Sequence, residues 1–297
     1  MSLQTNNHTH PLVYGVLGER WKVTARKEII VSAGVFNTPQ LLLLSGIGDP
    51  EELESLGITP RVDLPSVGKN MTDHVFLISA WETKANETFE TYTTPDVLAE
   101  NIEEWNQTRQ GPLSWTLANQ MAWVRLPEDD PIIQNYGDAT VGPTCGHYQI
   151  IWVNGWAVVN ATKPEGSWMS VATNLIASTA RKCLFPFAPL SNLSLSFGGR
   201  IGGSLTLRSS DPFESPNVDP NYLGTDSDVQ TIVAGLKTAI RFFTADAWKG
   251  FIGNPWSELA AANTDEELAE YARNHASTYV ESLDHFTLGS PDTCGWV

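Results

Sequence analysis

Cysteine, basic side chains and long apolar runs are all scarce in this sequence of 297 residues. The three cysteines, Cys145, Cys183 and Cys294, are too few and too scattered for a disulfide framework or a zinc site. Lys and Arg number 18 against 34 Asp and Glu, whereas a nucleic-acid binder needs clustered basic residues. The longest conspicuous apolar run, Leu41 to Leu44, is far short of the ~20 residues of a membrane-spanning helix. We therefore expect no nucleic acid, membrane or metal among its partners.

The rest of the composition is that of a folded, acidic chain. Hydrophobic residues make up 41% and aromatic residues 10%, which excludes a disordered chain. The first ten residues lack the basic start and apolar core of a signal peptide. Six Asn-X-Ser/Thr triplets nevertheless favour a secreted lineage. We also expect the protein to be a monomer. The triplets begin at Asn7, Asn70, Asn86, Asn106, Asn160 and Asn192.

A strand, a glycine turn and a helix are predicted early in the sequence. Glu28 to Ala33 has a short β-branched centre, which predicts a buried strand that Gly34 ends. Asn37 or Thr38 then offers an N-cap for a short helix over 40–44. This geometry presents free backbone N–H groups to an anion, and the alternative is an ordinary turn between a strand and a helix.

The rest of the sequence predicts further helices and a sheet. Asp49 to Gly57 reads as a short capped helix, and from Val75 onward tryptophans stand among short alternating runs typical of antiparallel strands. Asp226 to Asp246 has apolar residues at three- and four-residue spacing, which predicts a long amphipathic helix. Thr264 and Glu267 form a capping-box pattern that opens another helix.

Several motifs resemble those of one enzyme family. Ser32 to Gly48, SAGVFNTPQLLLLSGIG, resembles the second signature of the glucose-methanol-choline (GMC) oxidoreductases. Pro65 to His74 resembles the VGxNLxDH loop of that family, and Gly202 to Leu223 resembles a segment of its second half. Trp105 to Ser114 is similar to the aryl-alcohol-oxidase branch. The resemblance extends from about residue 23 to residue 280.

The resemblance implies FAD-dependent oxidation of a primary, aryl alcohol, with oxygen or another acceptor reoxidising the flavin. Hydride passes to the flavin while a histidine takes the hydroxyl proton. The implied fold is α+β, with a remnant of the FAD-binding domain in residues 1–75 and a substrate-binding domain with an antiparallel sheet in 76–280. Residues 181–200 are expected to be an insertion or misread coding sequence, and 281–297 a divergent tail.

The resemblance also implies site residues. Ser32, Ala33 and Gly34 are expected to lie near FAD through backbone groups at the strand end. Asn70 and Thr72, in the loop, are further candidates for cofactor binding. The sequence contains no GxGxxG motif, which binds the FAD pyrophosphate in this family, so the chain by itself is not expected to hold FAD or to be active.

Candidates for catalysis and substrate binding come from the same resemblance. His285 is either a displaced catalytic base or an unrelated tail residue, and His74 is more compatible with a structural role. Trp156 and Ala157 match the segment that gates the substrate funnel in the aryl-alcohol branch, although Trp156 could simply be core. Two other functions stay open, a non-catalytic glycoprotein that retained the fold and a carbohydrate-binding module, which scattered tryptophans and an acidic surface would suit.

Overall fold

The structure, a computed structural model, describes residues 10–16, 19–25, 27–85, 88–92, 94–118, 120–140, 142–159, 161–177 and 202–285, with only the backbone described for 10–24, 72 and 279–285. The helices of these residues are α1 (Gly34–Leu44), α2 (Pro50–Ser55), α3 (Phe89–Tyr92), α4 (Pro95–Thr108), α5 (Pro131–Tyr136), α6 (Asp226–Phe243) and α7 (Asp265–His275). The strands are β1 (His10–Val16), β2 (Glu19–Ala25), β3 (Ile47–Gly48), β4 (Val62–Asp63), β5 (Lys69–Thr83), β6 (Gln120–Val124), β7 (Tyr148–Val153), β8 (Ser167–Leu175), β9 (Gly203–Thr206), β10 (Asn217–Asp219), β11 (Ile252–Pro255) and β12 (Ser277–His285). Helices combined with mainly antiparallel strands confirm the predicted α+β class.

The chain divides into two compact units. The first comprises Met1–Asp73, Ala180–Asn221 and Glu281–Val297, and the second comprises His74–Thr179 and Tyr222–Val280. Strand β5 begins in the first unit and continues in the second. The sequence predicts a change of domain between residues 75 and 76, and it assigns residues 180–221 to the substrate-binding domain. In the structure residues 202–221 belong to the first unit.

The first unit has a small apolar core beneath α1 and α2. The core is formed by side chains that are at most 3% exposed, namely Leu43, Leu53, Val67, Met71 and Leu205. Strand β9 contributes to this core and pairs with the start of β5 on one side and with β10 on the other. A separate hairpin joins β1 to β2. The two helices thereby pack against the first residues of β5.

The second unit is built on an antiparallel sheet in the order β5-β8-β7-β6, to which β11 and β12 add by pairing with β5. Helices α6 and α7 cover one face, which we call the helix-covered face. Apolar side chains from the sheet and from α6 interlock there, including Val75, Leu77, Ile150, Leu175, Val229, Ile232 and Leu236. At Gly235 a Cβ atom would lie 2.3 Å from Cγ2 of Thr173, so only glycine lets α6 approach the sheet this closely.

The segment before α1 differs from its prediction. Glu28 to Ala33 is not a strand in the structure, and Ile30 is 81% exposed instead of buried. A short β-branched segment is buried as a strand only where neighbouring strands pair with it, and no described strand does so. Helix α1 begins at Gly34 with Ala33 as N-cap, so the prediction of an N-cap at Asn37 or Thr38 was wrong. The Thr38 hydroxyl instead accepts a hydrogen bond from the Ala33 N–H, at 3.1 Å.

Other local predictions are confirmed. Oδ1 of Asp49 accepts a hydrogen bond from the Glu51 N–H at the start of α2. The capping box of Thr264 and Glu267 opens α7, and α6 begins at Asp226 as predicted. The predicted insertion at 181–200, residues 286–297 of the tail, two cysteines and four of the Asn-X-Ser/Thr asparagines lie outside the described residues. Among the helices that are described, none combines the length and apolar character that crossing a membrane requires.

Candidate functional site

The second face of the sheet in the second unit, opposite the helix-covered face, carries the candidate substrate residues. Its buried side chains are those of Phe76, Ile78, Ile151, Val153 and Ala172. Leu117, Ala118, Ala157 and Val158 pack against them from loops. Alternation along each strand sends these residues to one side while their neighbours enter the core beneath α6. The face is therefore apolar and enclosed at its centre.

The loop that carries Trp156 and Ala157 is held by side-chain acceptors. The backbone N–H of Trp156 donates to a carboxylate oxygen of Glu90, and the N–H of Ala157 donates to Oγ of Ser170 at 3.1 Å. The Ser170 hydroxyl in turn donates to the carbonyl of Gly155, at 2.8 Å. These three bonds fix the backbone of the predicted gating segment relative to β8.

The indole ring of Trp156 lies within an aromatic cluster. Its centroid is 5.4 Å from that of Trp168 and 5.2 Å from that of Trp256, both in edge-to-face geometry. The structure thus places Trp156 and Ala157 side by side at the second face, with Ala157 against its buried residues. The small side chain of Ala157 leaves more room there than an aromatic residue would. Their role in substrate binding stays a prediction.

A row of polar residues on the same face was missed by sequence reasoning. Trp123, Gln149 and Asn174 are directly opposite one another on β6, β7 and β8, and Phe76 continues the row on β5. Nδ2 of Asn174 donates to Oε1 of Gln149 at 3.2 Å, and Nε2 of Gln149 donates to the sulfur of Met121 at 3.6 Å. The alternation in residues 147–153, HYQIIWV, indicates that Gln149 lies on one face of a strand. Only the register of the sheet shows which residues lie opposite it.

In the first unit, Ser32, Ala33 and Gly34 form the start of α1. Ser32 and Gly34 are exposed, and Gly34 has φ of +82° with open space around the position of a Cβ atom. The first N–H groups of an α-helix have no partner within the helix, so those of residues 34–36 are available to a ligand. The structure brings the three predicted residues together, and the N–H of Ala33 is already bonded to Thr38.

Asn70 is presented by a bulge at the start of β5. The register between β5 and β9 shifts between Lys69 and Met71, and Asn70 is exposed with φ of +56°. Opposite it, a Cβ atom on Gly202 would lie 2.8 Å from the Asn70 Cα, so this approach requires glycine. Asparagine tolerates the left-handed conformation better than most residues do. Thr72 lies on the same strand, but its side chain is outside the described part of the chain.

None of the histidine side chains that the structure describes is identified as a catalytic base. His285 ends β12, and its side chain is not among those described. His74 is half-buried and makes interactions of its own, and His147 is bound within a network of Arg125 and Asp138. Within the described residues, no three His, Cys, Asp or Glu side chains are placed to hold a metal ion.

Two family models described as GMC oxidoreductase match the chain, one over residues 12–76 and the other over residues 200–291. The chain belongs to the GMC oxidoreductase family. The two matched segments contain the start of α1, the Asn70 bulge and strand β12, which are the elements that carry most of the predicted site residues.

Several curated GMC relatives are similar over most of the chain. Pyranose dehydrogenase 2 of Leucoagaricus meleagris is 30% identical over 275 residues, which are 92% of this chain and 42% of the relative. The dehydrogenase eriK of Hericium erinaceus is 34% identical over 250 residues, 82% of this chain and 37% of the relative. The chain therefore spans less than half the length of these relatives.

Solved structures show the same fold. A structure concerned with FAD modification in the formate oxidase of Aspergillus oryzae RIB40 has a TM-score of 0.72 and 23% identity, covering 92% of this chain and 46% of that one. A fungal aryl-alcohol oxidase has a TM-score of 0.65 and 21% identity, covering 93% and 49%. At these identities the likeness shows the fold alone.

Proposed function

We propose that this chain contributes the substrate-binding sheet and part of the flavin site to an FAD-dependent oxidation of a small alcohol. Membership of the GMC family, together with an enclosed apolar sheet face that borders a polar row, carries the proposal. The formate oxidase neighbour is a protein with FAD, and the curated relatives include dehydrogenases of pyranoses. A secreted lineage is part of this proposal, and the six Asn-X-Ser/Thr triplets support it.

The residues at the start of α1 fit one edge of a flavin nucleotide. Gly34 leaves open space where a side chain would stand, and the unpaired N–H groups of the first helical turn suit a polar, anionic edge. Asn70 presents an amide from an exposed bulge in the same unit. Because the sequence contains no GxGxxG, these residues would contact the cofactor but would not bind its pyrophosphate as that motif does.

FAD, when bound, supplies a two-electron acceptor for the hydride of the alcohol. The protein must exclude water from that transfer, and the buried side chains of Phe76, Ile151 and Ala172 provide an apolar wall. The bonds to Ala157 and Trp156 hold a loop against this wall. A proton acceptor is also needed, and His285 remains the candidate from the sequence alone.

The substrate is proposed to be a neutral molecule with an oxidisable hydroxyl group. The predicted preference for an aryl alcohol rests on resemblance to one branch, whose solved member is 21% identical. The curated relatives at 30% identity are instead pyranose dehydrogenases. Both an aryl alcohol and a pyranose are therefore tested, with p-methoxybenzyl alcohol and glucose as the compounds.

A titration of FAD into the purified chain tests the cofactor residues. Flavin fluorescence anisotropy is followed up to millimolar FAD, because tight retention is not expected without GxGxxG. Asn70→Asp keeps a residue that tolerates the left-handed conformation but adds a negative charge, so it should weaken binding about threefold. Asn106→Asp adds the same charge at an exposed position on α4 and should leave binding unchanged.

The oxidation is tested by adding each alcohol to the FAD-saturated chain without oxygen and following the loss of flavin absorbance. Bleaching by either compound supports the proposed reaction and identifies the better substrate. If the variants Asn70→Asp and Asn106→Asp bind FAD equally, the assignment of the flavin-contacting residues is wrong.

A further inference from the structure

Exposure falls steadily along the row of Trp123, Gln149 and Asn174. Trp123 lies on β6 at the edge of the sheet and is 60% exposed, Gln149 on β7 is half-buried, and Asn174 on β8 is 5% exposed. All three point to the second face, because they are directly opposite one another in neighbouring strands. The row is thus an exposed aromatic ring leading to two amide groups that become progressively buried.

The hydrogen bonds of this row are incomplete. Oδ1 of Asn174 is buried, and no hydrogen-bond donor among the described residues reaches it. Buried acceptors are almost always satisfied in native proteins, so this oxygen calls for an O–H or N–H donor. Gln149 uses Nε2 on a thioether sulfur, which is a weak acceptor. A better acceptor could take that donor at little cost.

Asn174 also determines the orientation of Gln149. Its Nδ2 donates to Oε1 of Gln149, so the Gln149 amide presents its N–H groups toward Met121 on β6. Asn174 is accordingly a positioning residue for Gln149, and its own Oδ1 has no donor among the described residues. Together the two neighbouring amides offer donors and one buried acceptor.

We propose that Trp123, Gln149 and Asn174 form a binding subsite for a pyranose sugar. The indole ring stacks on the C–H face of the sugar, whose weakly positive hydrogens suit the negative face of the aromatic ring. Gln149 binds hydroxyl groups at the ring edge, and one further hydroxyl or a bridging water satisfies Asn174. The row contains no charged side chain, which agrees with a neutral ligand, and an aryl alcohol with a single hydroxyl would satisfy only one amide.

This subsite rests on the proposed function only in making the sugar a substrate, because the binding itself needs no flavin. The 297-residue chain is therefore tested without FAD. Saturation-transfer NMR is recorded with methyl β-glucopyranoside and, separately, with p-methoxybenzyl alcohol, irradiating aromatic protons of the protein. We expect transfer to the ring C–H protons of the sugar and a measurable dissociation constant.

Three variants separate the parts of the row. Trp123→Ala should raise the dissociation constant of the sugar about fivefold, the loss expected for one aromatic contact. Trp115→Ala removes an indole of nearly the same exposure, 59%, outside the row and should leave it unchanged. Asn174→Leu keeps the side-chain volume but removes the hydrogen bond that orients Gln149. It should therefore weaken binding of the sugar and leave binding of p-methoxybenzyl alcohol unchanged. Far-UV circular dichroism verifies that each variant is folded.

The results that overturn the subsite are specific. The subsite is excluded if the two tryptophan variants bind the sugar equally well, or if only the aryl alcohol shows saturation transfer. Failure of the flavin titration or of the bleaching assay concerns the proposed oxidation alone. Sugar binding that depends on Trp123 would stand as a binding function in either case.

Discussion

Nε2 of His147 lies 3.1 Å from Oδ1 of Asp138, and the imidazole that makes this contact is only 2% exposed. The other ring nitrogen, Nδ1, accepts a hydrogen bond from the backbone N–H of Leu126 at 3.0 Å. The ring proton is therefore on Nε2 and is donated to the carboxylate. Both ring nitrogens are satisfied only while the imidazole is neutral.

Asp138 joins this histidine to Arg125. The guanidinium donates to the other carboxylate oxygen of Asp138, to Oγ1 of Thr140 at 2.9 Å and to the carbonyl of Cys145 at 3.0 Å. The segment between α5 and β7 is thus tied to the end of β6 by one buried imidazole and one guanidinium. We call Arg125, Asp138 and His147 the histidine clamp.

The pKa values of His147 and Asp138 are both lowered in the clamp, but for different reasons. Burial lowers the pKa of His147 from 6.5, while the charges of Asp138 and Asp130 oppose this and Arg125 adds to it. Burial alone would raise the pKa of Asp138, but hydrogen bonds from Thr140 and Arg125 outweigh it and lower that pKa to about 2. The carboxylate therefore stays charged under all mild conditions.

The first prediction is a loss of stability on mild acidification. A histidine whose pKa is lower in the folded state contributes its full stability above the unfolded value of 6.5 and loses it as the pH falls toward the folded value. His147→Asn keeps an acceptor for Leu126 but cannot be protonated, so its free energy of unfolding should depend less on pH below 6.5. At pH 7.5 it should be about 1 kcal/mol less stable, because the bond to Asp138 is lost. Urea unfolding between pH 5 and pH 8 measures both.

Asp138→Asn provides the matched comparison for that experiment. It removes the charge that favours protonated His147 while keeping the side-chain size, so the loss of stability below pH 6.5 should become larger than in the wild type. Equal pH dependence in the wild type and in His147→Asn would show that the clamp does not respond to protons.

The second prediction concerns the capping box at the start of α7. Oγ1 of Thr264 accepts from the Glu267 N–H at 3.2 Å, and a carboxylate oxygen of Glu267 accepts from the Thr264 N–H at 3.0 Å. Thr264→Ala should lower the free energy of unfolding by about 1 kcal/mol, whereas Thr264→Ser retains the hydroxyl and most of the stability. Chemical denaturation compares the two, and an equal loss in both would assign the effect to packing of the methyl group.

Local chemistry of this kind is what the sequence predicted well. The caps at Asp49 and Thr264 and the start of α6 depend on residues a few positions apart, so they could be found without the fold. The strand predicted over residues 28–33 failed for the opposite reason. A strand depends on partners elsewhere in the chain, and the apolar content of the segment could not show that no described strand pairs with it.

The candidate site divides along the same line. Gly34, Asn70, Trp156 and Ala157 could be proposed from the sequence because they belong to contiguous motifs. The row of Trp123, Gln149 and Asn174 was not predicted, since its members are separated by 26 and 25 positions along the chain and meet only through the register of three strands. A row of this kind has no local signal, because each residue alone looks like an ordinary outward-facing strand position.

The third prediction compares two glycines that share a backbone conformation. Gly57 and Gly68 have φ of +73° and +75°, but a Cβ atom would meet nothing at Gly57 and would lie 2.3 Å from the Leu205 carbonyl oxygen at Gly68. Gly57→Ala should cost about 1 kcal/mol through the left-handed backbone alone. Gly68→Ala should cost a further 1–3 kcal/mol, roughly, because β9 must move away from the turn that precedes Asn70.

Thermal unfolding of the two glycine variants separates strain from collision. Gly68→Ala should also lose FAD affinity if the Asn70 bulge contacts the cofactor, whereas Gly57→Ala should not. Equal destabilisation of the two variants would mean that β9 accommodates the methyl group freely.

The fourth prediction compares two buried tyrosines. The hydroxyl of Tyr148 donates to Oγ1 of Thr238 at 2.9 Å, while Thr238 donates to the Ala234 carbonyl. The hydroxyl of Tyr271 is also buried, but no hydrogen-bond partner of acceptable geometry reaches it within the described residues. Burial raises the pKa of Tyr271 to about 12, although the nearby Ser79 hydroxyl opposes the rise.

Removing the Tyr148 hydroxyl should therefore lower the free energy of unfolding, and removing the Tyr271 hydroxyl should not. Tyr148→Phe leaves Thr238 without its donor and should lower the free energy of unfolding by about 1 kcal/mol. Tyr271→Phe removes a polar group that was buried without a partner, and it retains the ring that stacks on His275 at a centroid distance of 4.3 Å. Its stability should lie within about 0.5 kcal/mol of the wild type or above it. Urea unfolding of both variants decides the matter, because a larger loss in Tyr271→Phe would reveal a hydrogen bond or an ordered water at that hydroxyl.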